Sequence, residues 1–306
     1  MAPRAATKHK AGAAGDTQMG SAEGDPQKKL SEAPGVLEEG KIFFFYRPRP
    51  GRRDLDDPDA IQRFYIVMLP VSRHAPVRLM SVASAKRLPD RGERFWGTVL
   101  ETAATMDDVL KELGPKQNPN LRHRLLPAAK VVGEGIYVLY DDGRNVRLLY
   151  ELEVPMYPQE AQEELGVYKT GDYAIQVRNP WKDHPRTVNP PQRAAYPSDY
   201  QKLFQGPNAP KSAYMWIPPR EPSLLDYKNA VFTLIGRSPN WHHQFKNLPQ
   251  SLAELLDQAV KEDLGPEAYG EGTDDDAAMI DKLRSDVAAD RYGIDISPVL
   301  GGDDME

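Results

Sequence analysis

Residues 41–47 read KIFFFYR, with no polar side chain between Ile42 and Tyr46. A strand with one wet face alternates apolar and polar residues, whereas a run without alternation needs cover on both faces. This segment therefore predicts a central strand and obliges the rest of the chain to supply packing partners on both of its sides. Further runs with strand character follow: RFYIVML from Arg63, residues 78–83, residues 94–102, VVGEGIYVLY, NVRLLYELEV, residues 171–178, AYMWI from Ala213 and AVFTLI from Ala230. They outnumber the helical segments and do not alternate with them in βαβ fashion. The expected fold is α+β and strand-rich, with mostly antiparallel sheet and a few short helices.

Capping signals place those helices. Thr105 can cap a helix running to Leu113, with Asp107 and Asp108 in its first turn and Gly114-Pro115 to stop it. Residues 158–165 read as a helix with Gly166 just past its end, and residues 198–204 as a short one. Ser251 caps an amphipathic stretch over residues 251–264, with Glu254 at the third helical position, and residues 277–290 form an acidic last helix. Asp142-Gly143 between two strand runs predicts a tight type I′ hairpin.

Composition divides the chain. Residues 1–36 are small and polar and are expected to be a disordered tail. Two strand-rich α+β stretches follow, residues 37–114 and 128–250, joined by a linker or long loop at residues 115–127. One domain or two both fit 306 residues. The proline-rich stretch 179–210 is expected to wrap the surface, and residues 251–306 form an acidic, helical or disordered tail. Counting Lys and Arg against Asp and Glu gives net charges of −1, +7, 0 and −12 for residues 1–40, 41–130, 131–250 and 251–306. The first folded half is basic and the C-terminal segment strongly acidic.

The chain has no cysteine, which excludes disulfides, thiolate metal sites and cysteine nucleophiles. An intracellular location, cytoplasmic or nuclear, is expected. Residues 1–15 carry Arg4, Lys8 and Lys10 without an acid, which fits an organelle import sequence as well as a plain tail. The longest apolar run is far short of a membrane span, so no membrane partner is expected.

A basic half raises the polyanion reading. Arg47, Arg49, Arg52 and Arg53 are its candidate phosphate or nucleic-acid contacts, although Asp54, Asp56, Asp57 and Asp59 follow closely enough to neutralise them. Trp181, in NPWKDHPR, and Trp241, in SPNWHHQF, sit in turn-rich polar surroundings and are candidate stacking platforms, with packing beneath a loop as the alternative. Trp96 and Trp216 lie in strand runs and read as packing residues. The six histidines form no metal-ligand spacing, so no metal site is expected. Phosphate-loop, dinucleotide and nucleophile-elbow patterns fail on spacing or order, and no cofactor is expected.

Five segments, GKIFFFYRPR from Gly40, KRLPDRGERFWGTVLE from Lys86, GEGIYVLY from Gly133, EAQEELGVYKTGDYAIQVRNP from Glu160 and LDYKNAVFTLIG from Leu225, together resemble an uncharacterised family common in fungi that is often labelled "BTB domain transcription factor". The resemblance spans residues 36–236 and implies a nuclear interaction module. It supplies no catalytic residues. A BTB domain is strongly helical, whereas the matching stretch here is strand-rich, and residues such as Gly133, Gly135, Asn179 and Pro180 read as turns.

The leading functional expectation is a non-catalytic binding or scaffold protein with a protein partner. The alternatives are an RNA- or phosphate-binding protein using the arginine-rich half, and an unrecognised hydrolase or transferase whose acids converge only in three dimensions.

Overall fold

The computed structural model describes residues 35–51, 60–72, 74–83, 85–117, 125–155, 157–158, 160–182, 192–206 and 213–238. The N-terminal tail, save its last two residues, lies outside the described residues. So do residues 251–306 with both of their expected helices.

The chain is strand-rich and antiparallel, with few and short helices. In order it runs β1 (Val36–Pro48), β2 (Ile61–Pro70), β3 (Val77–Val82), β4 (Arg94–Ala103), α1 (Met106–Leu113), β5 (Lys116–Gln117), β6 (Leu125–Leu126), β7 (Lys130–Asp141), β8 (Val146–Val154), α2 (Glu160–Glu164), β9 (Thr170–Arg178), α3 (Tyr200–Leu203), β10 (Trp216–Ile217) and β11 (Val231–Gly236). The main sheet closes on itself. Neighbours follow the order β1, β2, β3, β4, β11, β9, β8, β7 and return to β1, so eight antiparallel strands form a barrel. The short β10 extends the β8 side of β9, pairing with Val177 and Arg178 beyond the stretch that β8 occupies. Closure leaves no long unpaired edge.

Strands from before and after residues 115–127 alternate in this circuit, because β1 pairs with β7 and β4 with β11. The linker expected there is thus a connection within one barrel. Its described ends pair with each other as β5 and β6.

The barrel explains why KIFFFYR does not alternate. Ile42, Phe44 and Tyr46 point inward and join Phe64, Ile66, Met68, Tyr150, Tyr173, Ile175 and Phe232 in the interior core. Phe43 and Phe45 point outward and pack with Tyr65, Val67, Val77 and Leu79 under Met106, Val109 and Leu113 of α1. Each fully buried apolar side chain contributes about 1.5–3 kcal/mol, so both layers matter to stability. Helix α1 begins as its sequence predicts: the Asp108 N–H donates to Thr105 Oγ1 at 3.3 Å, a cap worth about 1 kcal/mol.

Aromatic side chains fill the interior where glycines on the next strand make room. Phe232 is paired with Gly97, and a Cβ at Gly97 would lie 2.1 Å from the Phe232 ring. Tyr150 stands in the same relation to Gly171, where a Cβ would lie 2.0 Å from its ring. Side chains, rather than a ligand, occupy this part of the barrel.

The β7–β8 hairpin differs from the expected two-residue turn. Asp141 pairs with Val146, leaving a four-residue loop in which Gly143 alone has a positive φ, +85°. The Asp142 carboxylate accepts from the Arg144 and Asn145 N–H groups at 2.9 and 2.6 Å. That side-chain turn replaces the type I′ geometry, which would need Asp142 itself in the left-handed region. Burial pushes the Asp142 carboxyl up, but the Asn145 and Arg144 N–H donors and the Arg147 guanidinium together hold it below its ordinary value.

No helix among the described residues is long and apolar enough to cross a membrane.

Candidate functional site

Strand β9 ends at Arg178, and the next residue, Asn179, is a buried amide with three committed hydrogen bonds. Its N–H donates to the Met215 carbonyl at 2.9 Å, its Nδ2 donates to the Tyr214 carbonyl at 3.0 Å, and its Oδ1 accepts from the Trp181 N–H at 2.9 Å. Asn-Pro favours such a turn, because the side-chain carbonyl meets the N–H two residues on while proline fixes the backbone between. One amide thus ties together two separate loops. The strand run from Ala213 pairs with β9 only from Met215 onward, whose carbonyl accepts from the Asn179 N–H in register: the Tyr214 carbonyl is taken by the Asn179 side chain and the Tyr214 N–H donates to the Phe204 carbonyl at 2.8 Å.

The residues so placed present apolar surface to solvent. Trp181 is 40 % exposed, Tyr214 49 % and Met215 46 %. Behind Trp181 lie Phe204, edge-on at 5.9 Å, and Tyr196 at 6.3 Å. Tyr196 in turn contacts Tyr200 and Tyr227, and its hydroxyl donates to the Leu224 carbonyl at 2.7 Å. Next to Met215, the Trp216 ring meets the half-buried Trp96 ring at 4.7 Å and 65°, with the Arg178 guanidinium 5.6 Å from its centroid. Trp181, Tyr214 and Met215 are thus exposed on neighbouring backbone, and Trp181 rests on Phe204 and Tyr196.

Of the sequence-based stacking candidates, Trp181 is both exposed and packed from behind, while Trp241 lies outside the described residues. Trp96 and Trp216 pack, as expected, but on each other. Tyr214 and Met215 escape sequence reading because they sit in a run that looks like a strand, and Asn179 because its partners are 35 and 36 positions away.

Of the four candidate arginines, Arg47 has its donors committed within the fold. That side chain is buried on the outer face of β1. Its Nε donates to Tyr65 Oη at 3.1 Å, and its terminal nitrogens donate to the carbonyls of Glu112, Leu113, Gly114 and Pro127. A guanidinium has five N–H donors, and here each has an acceptor. Arg47 closes the C-terminal end of α1, where carbonyls and the helix dipole favour a cation. Arg49 is exposed, and Arg52 and Arg53 lie outside the described residues.

A second polar constellation lies within the barrel, at the end where Asp226 and the turn ahead of β11 sit. Arg78 on β3 is fully buried. It donates to both Glu38 carboxylate oxygens, at 2.5 and 2.8 Å, and through Nε to Asp226 Oδ1 at 2.6 Å. Tyr137 Oη donates to Glu38 at 2.7 Å. Burial alone would lower the Arg78 pKa, but the attraction and hydrogen bonds of Glu38 outweigh it and the guanidinium is held above its ordinary value. Burial also raises Asp226, against the pull of Arg78, and raises Tyr137 with the help of the Glu38 charge. Two acids sharing one guanidinium carry a net charge of −1, which disfavours the charged form of the more weakly held one. The cluster links β1, β3, β7 and the turn ahead of β11.

Among the described residues, no three histidine, aspartate or glutamate side chains converge in a group able to hold a metal ion. Compared with known proteins, the chain matches no family model, no curated sequence and no solved structure.

Proposed function

We propose that this chain is a non-catalytic binding or scaffold protein that engages a protein partner through the surface formed by Trp181, Tyr214 and Met215. The observation that carries the reading is Asn179, whose hydrogen bonds hold together the backbone at three exposed large apolar residues, Trp181, Tyr214 and Met215. Aromatic and methionine side chains are enriched in protein interfaces, and a preformed surface binds with little ordering cost. From the fungal family it resembles, the reading takes only the implied interaction role.

The other two readings draw less support. For polyanion binding, Arg47 has its donors committed to α1 and Tyr65, so the cluster would depend on Arg49 and on arginines beyond the described residues. For a hydrolase or transferase, the barrel-end acids Glu38 and Asp226 are both engaged by Arg78 rather than aimed at an open position.

The test compares the wild-type chain with the triple variant Trp181→Ala, Tyr214→Ala, Met215→Ala as baits for chemical cross-linking in cells. A partner retained by the first and lost by the second, with melting temperatures alike, is the expected result. Equal capture by both baits rejects this surface. Salt-sensitive retention on heparin, unaffected by the triple substitution, would favour the polyanion reading instead.

A further inference from the structure

The turn ahead of β11 is tied both to the barrel interior and to the rings behind Trp181. Pro222–Leu225 forms one 3-10 turn, after which the Asp226 N–H donates to the Ser223 carbonyl at 3.0 Å and the Asp226 carboxylate accepts from Arg78 Nε at 2.6 Å. Within the same few residues, the Leu224 carbonyl accepts from Tyr196 Oη at 2.7 Å, and Ser223 Oγ meets Tyr200 Oη at 2.6 Å. The Tyr227 ring stands edge-on to Tyr196 at 4.8 Å and to Tyr200 at 5.6 Å. Tyr196 lies 6.3 Å from Trp181, and the Phe204 ring is 6.1 Å from the first and 5.9 Å from the second. Leu224, Leu225 and Phe204 are no more than 1 % exposed. Groups packed this closely pass a displacement on rather than absorb it.

The tie to Arg78 is the one that can change state. Arg78 commits both terminal nitrogens to Glu38 and only Nε to Asp226. A proton added to Asp226 therefore leaves the Arg78–Glu38 pair whole and weakens only the charge-assisted hold on the turn. The charged groups facing Asp226 are Arg78 from β3 and Glu38 from β1, with Tyr137 from β7 donating to Glu38. Burial raises the Tyr196 and Tyr227 hydroxyls, and the Asp226 charge adds to the effect. On the same segment, Arg220 is engaged by Asp141 at 2.8 Å and Lys228 by Glu101 at 2.5 Å.

We propose that the Arg78–Asp226 ion pair positions the Trp181 surface, so that gain or loss of the negative charge on Asp226 re-sets the Tyr196 and Phe204 rings on which Trp181 rests. Resting on the reading of Trp181, Tyr214 and Met215 as a partner surface, this makes partner binding depend on pH through a residue that does not touch the partner.

The test uses the full-length chain labelled with 5-fluorotryptophan. Each of the four tryptophans gives one fluorine resonance, and Trp181→Phe identifies that of Trp181. Asp226 gains its proton above the ordinary value of 3.8, so lowering the pH from about 7 to about 4 should move the Trp181 resonance in a single titration step. Asp226→Asn should abolish that step and hold the resonance at the wild type's low-pH position. A Trp181 resonance that does not move, or that titrates identically in Asp226→Asn, overturns the proposal. Tyr196→Phe keeps the ion pair and the ring but removes the bond to Leu224, and should shrink the step; an unchanged step overturns transmission through the turn. Because no partner enters the measurement, its failure leaves the partner surface standing, and failure of the cross-linking comparison leaves the coupling standing.

Discussion

The guanidinium of Arg78 grips both carboxylate oxygens of Glu38, 40 positions away in sequence, from inside the closed barrel. Its remaining Nε reaches Asp226 in the turn that precedes β11, so one buried side chain on β3 fastens that turn to β1. Replacing Arg78 with Met removes the cation that, among the described residues, holds both Glu38 and Asp226, two largely buried acids. Breaking such a group from one side costs about 3–5 kcal/mol, and a loss of that size in urea denaturation is expected. The triple variant Arg78→Met, Glu38→Leu, Asp226→Leu should recover most of it, since no charge is then left stranded. A single-variant loss below about 1 kcal/mol would mean that the acids relax to solvent.

Asp226 gives the cluster a pH signature. Burial raises its carboxyl pKa above the ordinary value of 3.8. The folded state therefore holds this proton more tightly than the unfolded chain does, so the group favours folding most below pH 3.8 and loses that contribution as pH rises through the folded pKa. Asp226→Asn cannot titrate. Subtracting its melting temperature from that of the wild type should give a difference that falls with rising pH above about 4 and then levels off. A difference that rises instead would reverse the assigned direction.

For Arg47, the expected effect lies in the stability of the crossover that carries α1. Arg47→Met strands the carbonyls of Glu112, Leu113, Gly114 and Pro127 at the end of the helix. Hydrogen bonds to a charged group contribute about 1.5–3 kcal/mol, and the denaturation midpoint should fall accordingly. Elution from heparin should stay where the wild type elutes, whereas a phosphate contact would shift it to lower salt.

Gly97 is fixed by the ring that lies over it. Gly97→Ala would set a Cβ 2.1 Å from Phe232, an overpacking that costs about 1–3 kcal/mol. Combining it with Phe232→Leu should cost less than the two single changes added together, because the smaller side chain vacates the contested space. Strict additivity in a double-mutant cycle would show that the strain is taken up elsewhere.

Much of the local structure is written in nearby residues. The unbroken KIFFFYR run demanded two covered faces, and β1 has both, the barrel interior and α1. Thr105 capped its helix where expected, since a cap involves residues only three apart. The hairpin loop was placed correctly but its geometry was not, because the Asp142 side chain competes with the preferred turn for the same backbone donors.

By itself the sequence determined where most of the described strands and short helices lie, because periodicity, caps and turn residues act over a few positions. Only the tertiary structure decided that β1 to β4 close against β7 to β11, that Arg47 serves a helix end, and that Arg78, Glu38 and Asp226 meet. Those outcomes depend on pairings 40 to 148 residues apart. At that range no local preference selects a partner; closure of the barrel and burial of its apolar faces do.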